Sequence, residues 1–466
     1  MEKRMKNLEF NRIHKFVFDD CYIILDVNSG SIHLGDALFF DYLDFLEEEP
    51  QSAMPRLVER YGEEACEGLE EALRELIDEG LLFSEADFSD YKPHKEPLVK
   101  AMCFHMAHDC NLRCGYCFAD TGSYGGGRSL MSLETGKKAI DLLMKLSKHR
   151  KHVEIDFFGG EPLLNFEVCK ALAKYGHMEA KKHGKILKLT LTTNGVLLDD
   201  EVIDWANQHE MDAVLSLDGR EHVHNRMRKF TNGANSYQAV VEPFKRFVAS
   251  RQTWQDKKYY LRGTYTHFNT DFADDVIHMA DDLGFTELSM EPVVAKESLG
   301  YALKKEDMPD LLASYDKLTR HYAEREDEGK GYQFFHFNVD FDGGPCLPKR
   351  LSGCGAGHDY LAVSPEGDLY PCHQFVGEED YKMGTVETGI IRPELAERFQ
   401  THNVLKKDLC MQCWARFYCS GGCHANNLRY GGGLDEPYLF GCDLQKKRIE
   451  CGIYLGVRRY LKENGE

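Results

Sequence analysis

No stretch of the 466-residue chain runs to 18 consecutive apolar residues, so a membrane-spanning helix is not expected. The opening residues Met1-Glu-Lys-Arg-Met-Lys6 lack the apolar core of a secretory signal, and a cytoplasmic protein is expected. Positive charge is in deficit as well: 57 lysines and arginines face 77 aspartates and glutamates, a formal net charge of −20. Nucleic acid is therefore not expected as the main partner. Cysteine, by contrast, is plentiful, with 16 in the chain. A reducing cytoplasm disfavours a disulfide framework, so these cysteines read as metal ligands. With 42% hydrophobic residues at this length, two or three domains and a sizeable core are expected.

Three of the cysteines form CxxxCxxC in Cys110-Asn-Leu-Arg-Cys114-Gly-Tyr-Cys117, directly after the apolar run 101–107. Three thiolates on one loop suit a soft metal centre, and they are one short of the four that close an iron–sulfur cluster. A four-iron cluster held there keeps one iron for a small-molecule ligand, as catalytic metal sites keep an open position. Spacing alone also fits a zinc site or a set of buried thiols.

Around this loop, strand-like runs (100–106, 153–158, 186–192, 212–218, 258–266, 286–293) alternate with helical patterns (132–147, 167–182, 199–208, 237–250, 271–283). Ala139, Leu142, Leu143 and Leu146 share a helix face, and Ser132 is placed to cap it. The alternation predicts an α/β fold with a parallel sheet and right-handed crossovers. In parallel α/β sheets function gathers after the strands. There lie Gly159-Gly160-Glu161-Pro162, Asn194, Ser216, Arg226 and Arg228, Glu291 and Val294. Glu291 reads as a strand-end carboxylate and 121–127 as a solvated glycine-rich loop.

Before the barrel, strand pieces at 14–26 and a return at 31–34 predict a hairpin around Asn28-Ser-Gly30. Helices follow at 37–46, 53–61 and 63–79, then a short strand at 81–83. Hairpin plus three helices reads as a winged-helix module, with 91–97 as a two-proline linker. Its acidic residues weigh against DNA binding. After the barrel comes C…GxxxxC…CxxCxxxxxCxxxC…C, built from Cys354, Cys372, Cys410, Cys413, Cys419, Cys423 and Cys442. Cys21, Cys66, Cys103, Cys169 and Cys451 have no sequence-near partner and read as ordinary thiols.

The triplet with Tyr116 before its last cysteine, and the GGEP element about 45 residues on, resemble the radical S-adenosylmethionine (SAM) enzymes. That resemblance implies a partial (β/α)6 barrel in which Cys110, Cys114 and Cys117 hold the catalytic 4Fe–4S cluster. Its open iron would bind SAM, and an electron would cleave SAM to methionine and a 5′-deoxyadenosyl radical. Tyr116, Gly159, Gly160, Glu161, Asn194, Ser216, Arg228 and Val294 would surround SAM. The later cysteine pattern resembles the SPASM extension, which implies two auxiliary 4Fe–4S clusters. Cys410, Cys413, Cys419 and Cys442 would hold one; Cys354, Cys372 and Cys423 would hold three corners of the other. Cys346 or a substrate thiolate would complete the latter.

The N-terminal module resembles the peptide-recognition domains of enzymes that modify ribosomally made peptides, where a leader adds as a strand. With Leu25-Asp-Val-Asn-Ser-Gly-Ser31 and Ser352-Gly-Cys-Gly-Ala-Gly357, the chain looks most like the SCIFF maturases. These form thioethers between cysteine and an acceptor, commonly threonine, in a cysteine-rich precursor peptide. An external donor such as flavodoxin or ferredoxin is implied. The expected domains are 1–90, the linker 91–97, 98–335 and 336–466. Alternatives are a formylglycine-forming or carbon–carbon-crosslinking SPASM enzyme, an iron–sulfur electron carrier, or a zinc scaffold.

Overall fold

The computed structural model describes residues 8–92, 96–251, 259–340 and 347–465. Three strands open the chain: β1 (Ile13–Phe18), β2 (Cys21–Asp26) and β3 (Ile32–Gly35). They pair antiparallel in the order β1-β2-β3, one strand more than a hairpin. The β2–β3 turn is built on Asp26, fully buried, whose carboxylate accepts hydrogen bonds from Ser29 N and Oγ (both 2.8 Å) and Ser84 N (2.9 Å). Helices Ala37–Glu48, Ala53–Tyr61, Glu63–Cys66 and Leu69–Asp78 follow. The single helix expected over 63–79 is two because Gly68 takes φ +78°, outside the helical region. The strand expected at 81–83 does not form: Phe83 sits at φ +54°, which no strand accommodates.

The small sheet is buried on both faces. Ile24 packs with Phe40, Leu43, Leu57 and Leu73 of the helices, whereas Phe18, Ile23 and Leu25 join the main core. Alternation along a strand sends these residues to opposite sides. The N-terminal unit is thus wedged against the rest of the protein. Phe18 stacks on Tyr454 (4.3 Å between centroids) and Asp19 pairs with Arg320 (2.9 Å).

Six parallel strands form the centre: β4 (Ala101–Ala107), β5 (His152–Gly159), β6 (Ile186–Thr193), β7 (Asp212–Ser216), β8 (Tyr259–Tyr265) and β9 (Glu287–Pro292). Each falls within a residue or two of its expected place. The five expected helices are present, the last running Phe272–Ile277 and continuing as a π-turn over His278–Asp282. Ser132 caps the first as expected, accepting from Thr135 N at 3.0 Å.

The sheet continues beyond the six. β10 (Gln333–Phe334) adds parallel to β9, and β11 (Tyr360–Val363) adds parallel to β4. Then β12 (Asp368–Tyr370), β13 (Gly384–Thr385) and β14 (Gly389–Ile390) extend it antiparallel. A division at 336 therefore separates stretches of sequence without interrupting the sheet. The 26-residue helix Leu439–Asn464 packs back on the helix Met308–Asp327 and on β1.

The two faces of the central sheet differ. Val153, Ile155 and Phe157 of β5 are at most 1% exposed and lie in the helix-covered core. Asp156, Phe158, Thr190, Thr192 and Glu291 alternate with such residues and are only partly covered, and Arg262 among them is exposed. They form the polar inner face of an open barrel. No helix of the described residues is long and apolar enough to cross a membrane. Replacing Ser132 by alanine removes one cap and should cost about 1 kcal/mol, while Ser132→Gly should cost only a few tenths; urea midpoints of the two variants check this order.

Candidate active site

The cysteine loop leaves β4 and is tied down at several points. Asp109 Oδ1 accepts from Cys110 N (2.8 Å), Arg113 N donates to Lys229 O (2.7 Å), and Gly115 N donates to Met227 O (2.8 Å). The three sulfurs sense one another electrostatically. Burial pushes the Cys110 thiol up to about 12, with Glu161 adding to it, and the Cys114 thiol up to about 11 against the pull of Arg228. Thiols so disposed become thiolates when a metal displaces their protons.

The two GGEP glycines close the turn against the chain's own backbone. Gly160 N donates to Ala107 O (2.8 Å) and Glu161 N to Asp109 O (2.9 Å). A Cβ on Gly159, at φ +121°, would lie 2.5 Å from Ala107 O; one on Gly160 would lie 2.1 Å from Asp109 O. Their bareness lets the turn close on the backbone that delivers Cys110. Glu161 is fully buried, and its carboxylate accepts from Thr193 Oγ1 (2.8 Å), Asn194 N (2.8 Å) and Leu163 N (3.1 Å). Burial still raises it to about 7. Asn194 in turn donates Nδ2 to Asn111 Oδ1 (2.7 Å), beside Cys110.

On the other side of the loop, Tyr116 donates its hydroxyl proton to Asp218 Oδ2 (2.6 Å), and Arg228 Nη1 donates to Tyr116 Oη (2.9 Å). Asp218 also accepts from Thr264 N (3.1 Å), and burial raises it to about 6. Ser216 closes β7, and Val294 follows β9, half-buried. The stretch 121–127 is exposed at Thr121 and Gly125–Gly127; Gly122 packs against Cys110, and the Tyr124 ring lies 4.5 and 4.7 Å from His105 and His108.

Farther along, the structure gathers the expected auxiliary sets. Cys442, in the first turn of the C-terminal helix, senses Cys419, Cys410 and Cys413, and burial pushes it up to about 12. Cys372, after β12, senses Cys423 and Cys354. Cys354 is exposed by area, yet burial is the leading cause of its raised thiol, as for a sulfur facing a recess. Cys346 lies outside the described residues. Trp414 stacks flat on His14 (3.8 Å, 4°), so the loop between Cys413 and Cys419 meets the N-terminal sheet. Arg416 Nη2 reinforces this with a 2.5 Å bond to Asn28 Oδ1.

Sequence reading missed the charged groups inside the barrel. Glu291, taken as a strand-end carboxylate, meets His336 Nε2 at 3.2 Å and Arg262 and Arg448 at 3.8 Å. Burial opposes its charge, but these three groups hold its carboxyl well below the usual range. Asp156 faces the same interior, where Thr192 Oγ1 donates to it at 3.3 Å. Strand alternation beneath Gly159 was the one available signal for Asp156; nothing local marks His336 or Arg448. Cys103, buried as expected, lies beside Tyr360 and Asp156 on this inner side.

Among the described residues, no group of three or more His, Cys, Asp or Glu closes around a single metal ion. A zinc site draws its sulfurs to about 2.3 Å from one point, whereas a cubane spreads them over its corners. The donor chemistry fits clusters. Two buried donors beside the triplet also lack a partner, Asn111 Nδ2 and Arg228 Nε, as suits a ligand bearing carboxylate or other acceptors.

Residues 105–253 match the radical SAM superfamily model, and 354–414 match the SPASM model, an iron–sulfur cluster-binding domain. The chain thus carries a radical SAM domain followed by a SPASM domain, and its cofactors are 4Fe–4S clusters and SAM. Among known proteins it is 25% identical to the cysteine-type anaerobic sulfatase-maturating enzyme of Clostridium perfringens, over 67% of this chain and 85% of that one. The solved structure of native anSMEcpe with bound AdoMet aligns at a TM-score of 0.65 and 20% identity, covering 78% of this chain and all of that one. Streptococcus suis SuiB bound to precursor peptide SuiA aligns at 0.54 and 16%, covering 92% and 98%. The sequence likeness relates the chain to a sulfatase-maturating enzyme, and the two solved structures share its fold. Gly160→Ala drives a methyl into Asp109 O and should displace the Cys110 loop. Anaerobic EPR of the reduced variant should lose the SAM-responsive cluster signal and keep the others.

Proposed function

We propose that this enzyme installs thioether crosslinks between cysteine and an acceptor residue, commonly threonine, in a cysteine-rich precursor peptide made on the ribosome. The reading rests on its resemblance to the SCIFF maturases and on one structural observation. A sheet-and-helix unit stands ahead of the barrel with the outer edge of β3 free. Among the described residues no strand pairs there. Asp26 N donates to Ser31 O, so the antiparallel alternation turns the backbone groups of Ile32 and Leu34 outward. A leader peptide would add as a fourth strand, the winged-helix-type recognition mode, held by main-chain bonds.

SAM, when bound with the reduced cluster, supplies the radical that takes hydrogen from the acceptor carbon. The chain's residues do the rest. Cys110, Cys114 and Cys117 hold the cluster; Arg228 Nε and Asn111 Nδ2 are free to bind acceptor groups of SAM. Glu161 and Asn194 fix the loop from behind, and the polar barrel face receives the peptide. Gly159, Gly160, Ser216, Tyr116 and Val294 shape the SAM pocket. Cys410, Cys413, Cys419 and Cys442 hold one auxiliary cluster. Cys354, Cys372 and Cys423 hold another, completed by Cys346 or by the peptide thiolate. A flavodoxin- or ferredoxin-type donor supplies electrons in the cytoplasm.

The likeness to sulfatase maturases keeps formylglycine formation as the second reading. Product mass separates them, since each thioether makes the peptide lighter by two hydrogens with its cysteines blocked to alkylation. Anaerobically reconstituted protein should carry about twelve irons and twelve sulfides per chain if three four-iron clusters are present. Leu34→Pro removes one outward donor from the β3 edge. It should weaken leader binding by roughly tenfold, the worth of about one hydrogen bond, measured by fluorescence anisotropy, and leave peptide-independent SAM cleavage unchanged.

A further inference from the structure

The carboxylates around the barrel mouth are not equivalent. Glu161 is saturated by Thr193, Asn194 and Leu163, and Asp218 by Tyr116 and Thr264. Asp109 holds Cys110 N and faces Arg128. Glu291 is locked in charge by His336, Arg262 and Arg448. Asp156 differs: it projects from β5 into the interior, and Thr192 Oγ1, at 3.3 Å, is its one hydrogen-bond donor among the described residues. Its strand neighbours in register are Cys103 on β4 and Thr190 on β6. Arg262 of β8 lies within electrostatic reach without an ion pair at 4 Å, and Tyr124 and Tyr360 of β11 sense its charge. His105 of β4 is buried close by, against Phe158 and Tyr124, and His373 lies across Phe158.

We propose that Asp156 accepts the proton of the peptide cysteine that is to be crosslinked. The proposal rests on the thioether reading above. In the step assigned to Asp156, the S–H bond breaks heterolytically. The electron pair stays on sulfur and the proton moves to an Asp156 oxygen; no electron changes hands. Thr192 orients the carboxylate, and Arg262 faces the developing thiolate from β8. An ordinary carboxylate near 3.9 is too weak a base for a thiol near 8.5. Burial lifts Asp156 to about 7, which narrows the mismatch to about 1.5 units. The environments of Asp156 and Glu291 push their affinities for a proton in opposite directions, a division that marks one as base and the other as fixed charge.

Reconstituted full-length enzyme, SAM, reductant and precursor peptide test this. With Asp156→Asn, crosslinked product should fall roughly 100-fold or more, while 5′-deoxyadenosine formation and peptide affinity stay within about threefold. The wild-type crosslinking rate should rise between about pH 6 and 8 and level off; the variant should lose that rise, and Asp156→Glu should recover part of the rate. Without SAM, the wild-type pH-difference infrared spectrum should contain a carboxyl band titrating near neutrality that Asp156→Asn lacks. Crosslinking by Asp156→Asn at the wild-type rate and pH profile overturns the proposal. So does loss of deoxyadenosine and crosslinks in step, or a wild-type spectrum without the band, which counts even if the variants misfold. A wild-type enzyme that leaves every peptide thiol alkylatable overturns the thioether reading itself, and Asp156 as thiol base with it.

Discussion

The structure depends on the closure of one backbone turn on another. The GGEP turn after β5 hydrogen-bonds the end of β4 through Gly160 N and Glu161 N, at contacts no side chain would permit. From there Glu161, buried and fully engaged, grips Thr193 and Asn194 at the end of β6. Asn194 grips Asn111 next to the first cysteine. Three neighbouring strands are thereby locked around the loop that carries the triplet. Preorganisation of this kind is what a site for reactive chemistry requires, because a loosely held cluster could not aim at one hydrogen of a substrate.

The same logic runs toward the C-terminus. β11 adds to β4, so the segment that carries Cys354 and Cys372 is an extension of the barrel sheet. The long terminal helix carries Cys442 in its first turn, Arg448 toward Glu291 in the interior, and Glu450 to His14 of the small sheet. One helix thus touches a cysteine set, the barrel interior and the N-terminal unit. Trp414 and Arg416, between two cysteines of that set, make the second junction with the small sheet. The N-terminal sheet and the cysteine sets are built as neighbours.

The charged interior is economical in its use of groups. Three side chains from β8, the 3-10 turn near 336 and the terminal helix converge on Glu291 of β9 and fix its charge. Asp156 is left, among the described residues, with a single hydroxyl donor and a raised proton affinity. Two carboxylates in one chamber therefore serve unlike ends, through burial and neighbours rather than through residue type.

Much of this was legible in the sequence. Six strands, their helices and Ser132 as a cap follow from periodicity, because local hydrophobic alternation and capping chemistry are written residue by residue. The three cysteine sets were separable by spacing and resemblance, and the chain brings each set together in space. What the sequence could not give depended on distant contacts. Gly68 and Phe83 break the expected helix and strand through backbone angles that no pattern displays. The glycines of GGEP close on Ala107 and Asp109, some fifty residues back along the chain. His336 and Arg448 become neighbours of Glu291 only once the terminal helix has packed back on the barrel. Local order is encoded locally; the electrostatics of the interior belong to tertiary packing, since a charge takes its meaning from whatever folding places within a few ångströms of it.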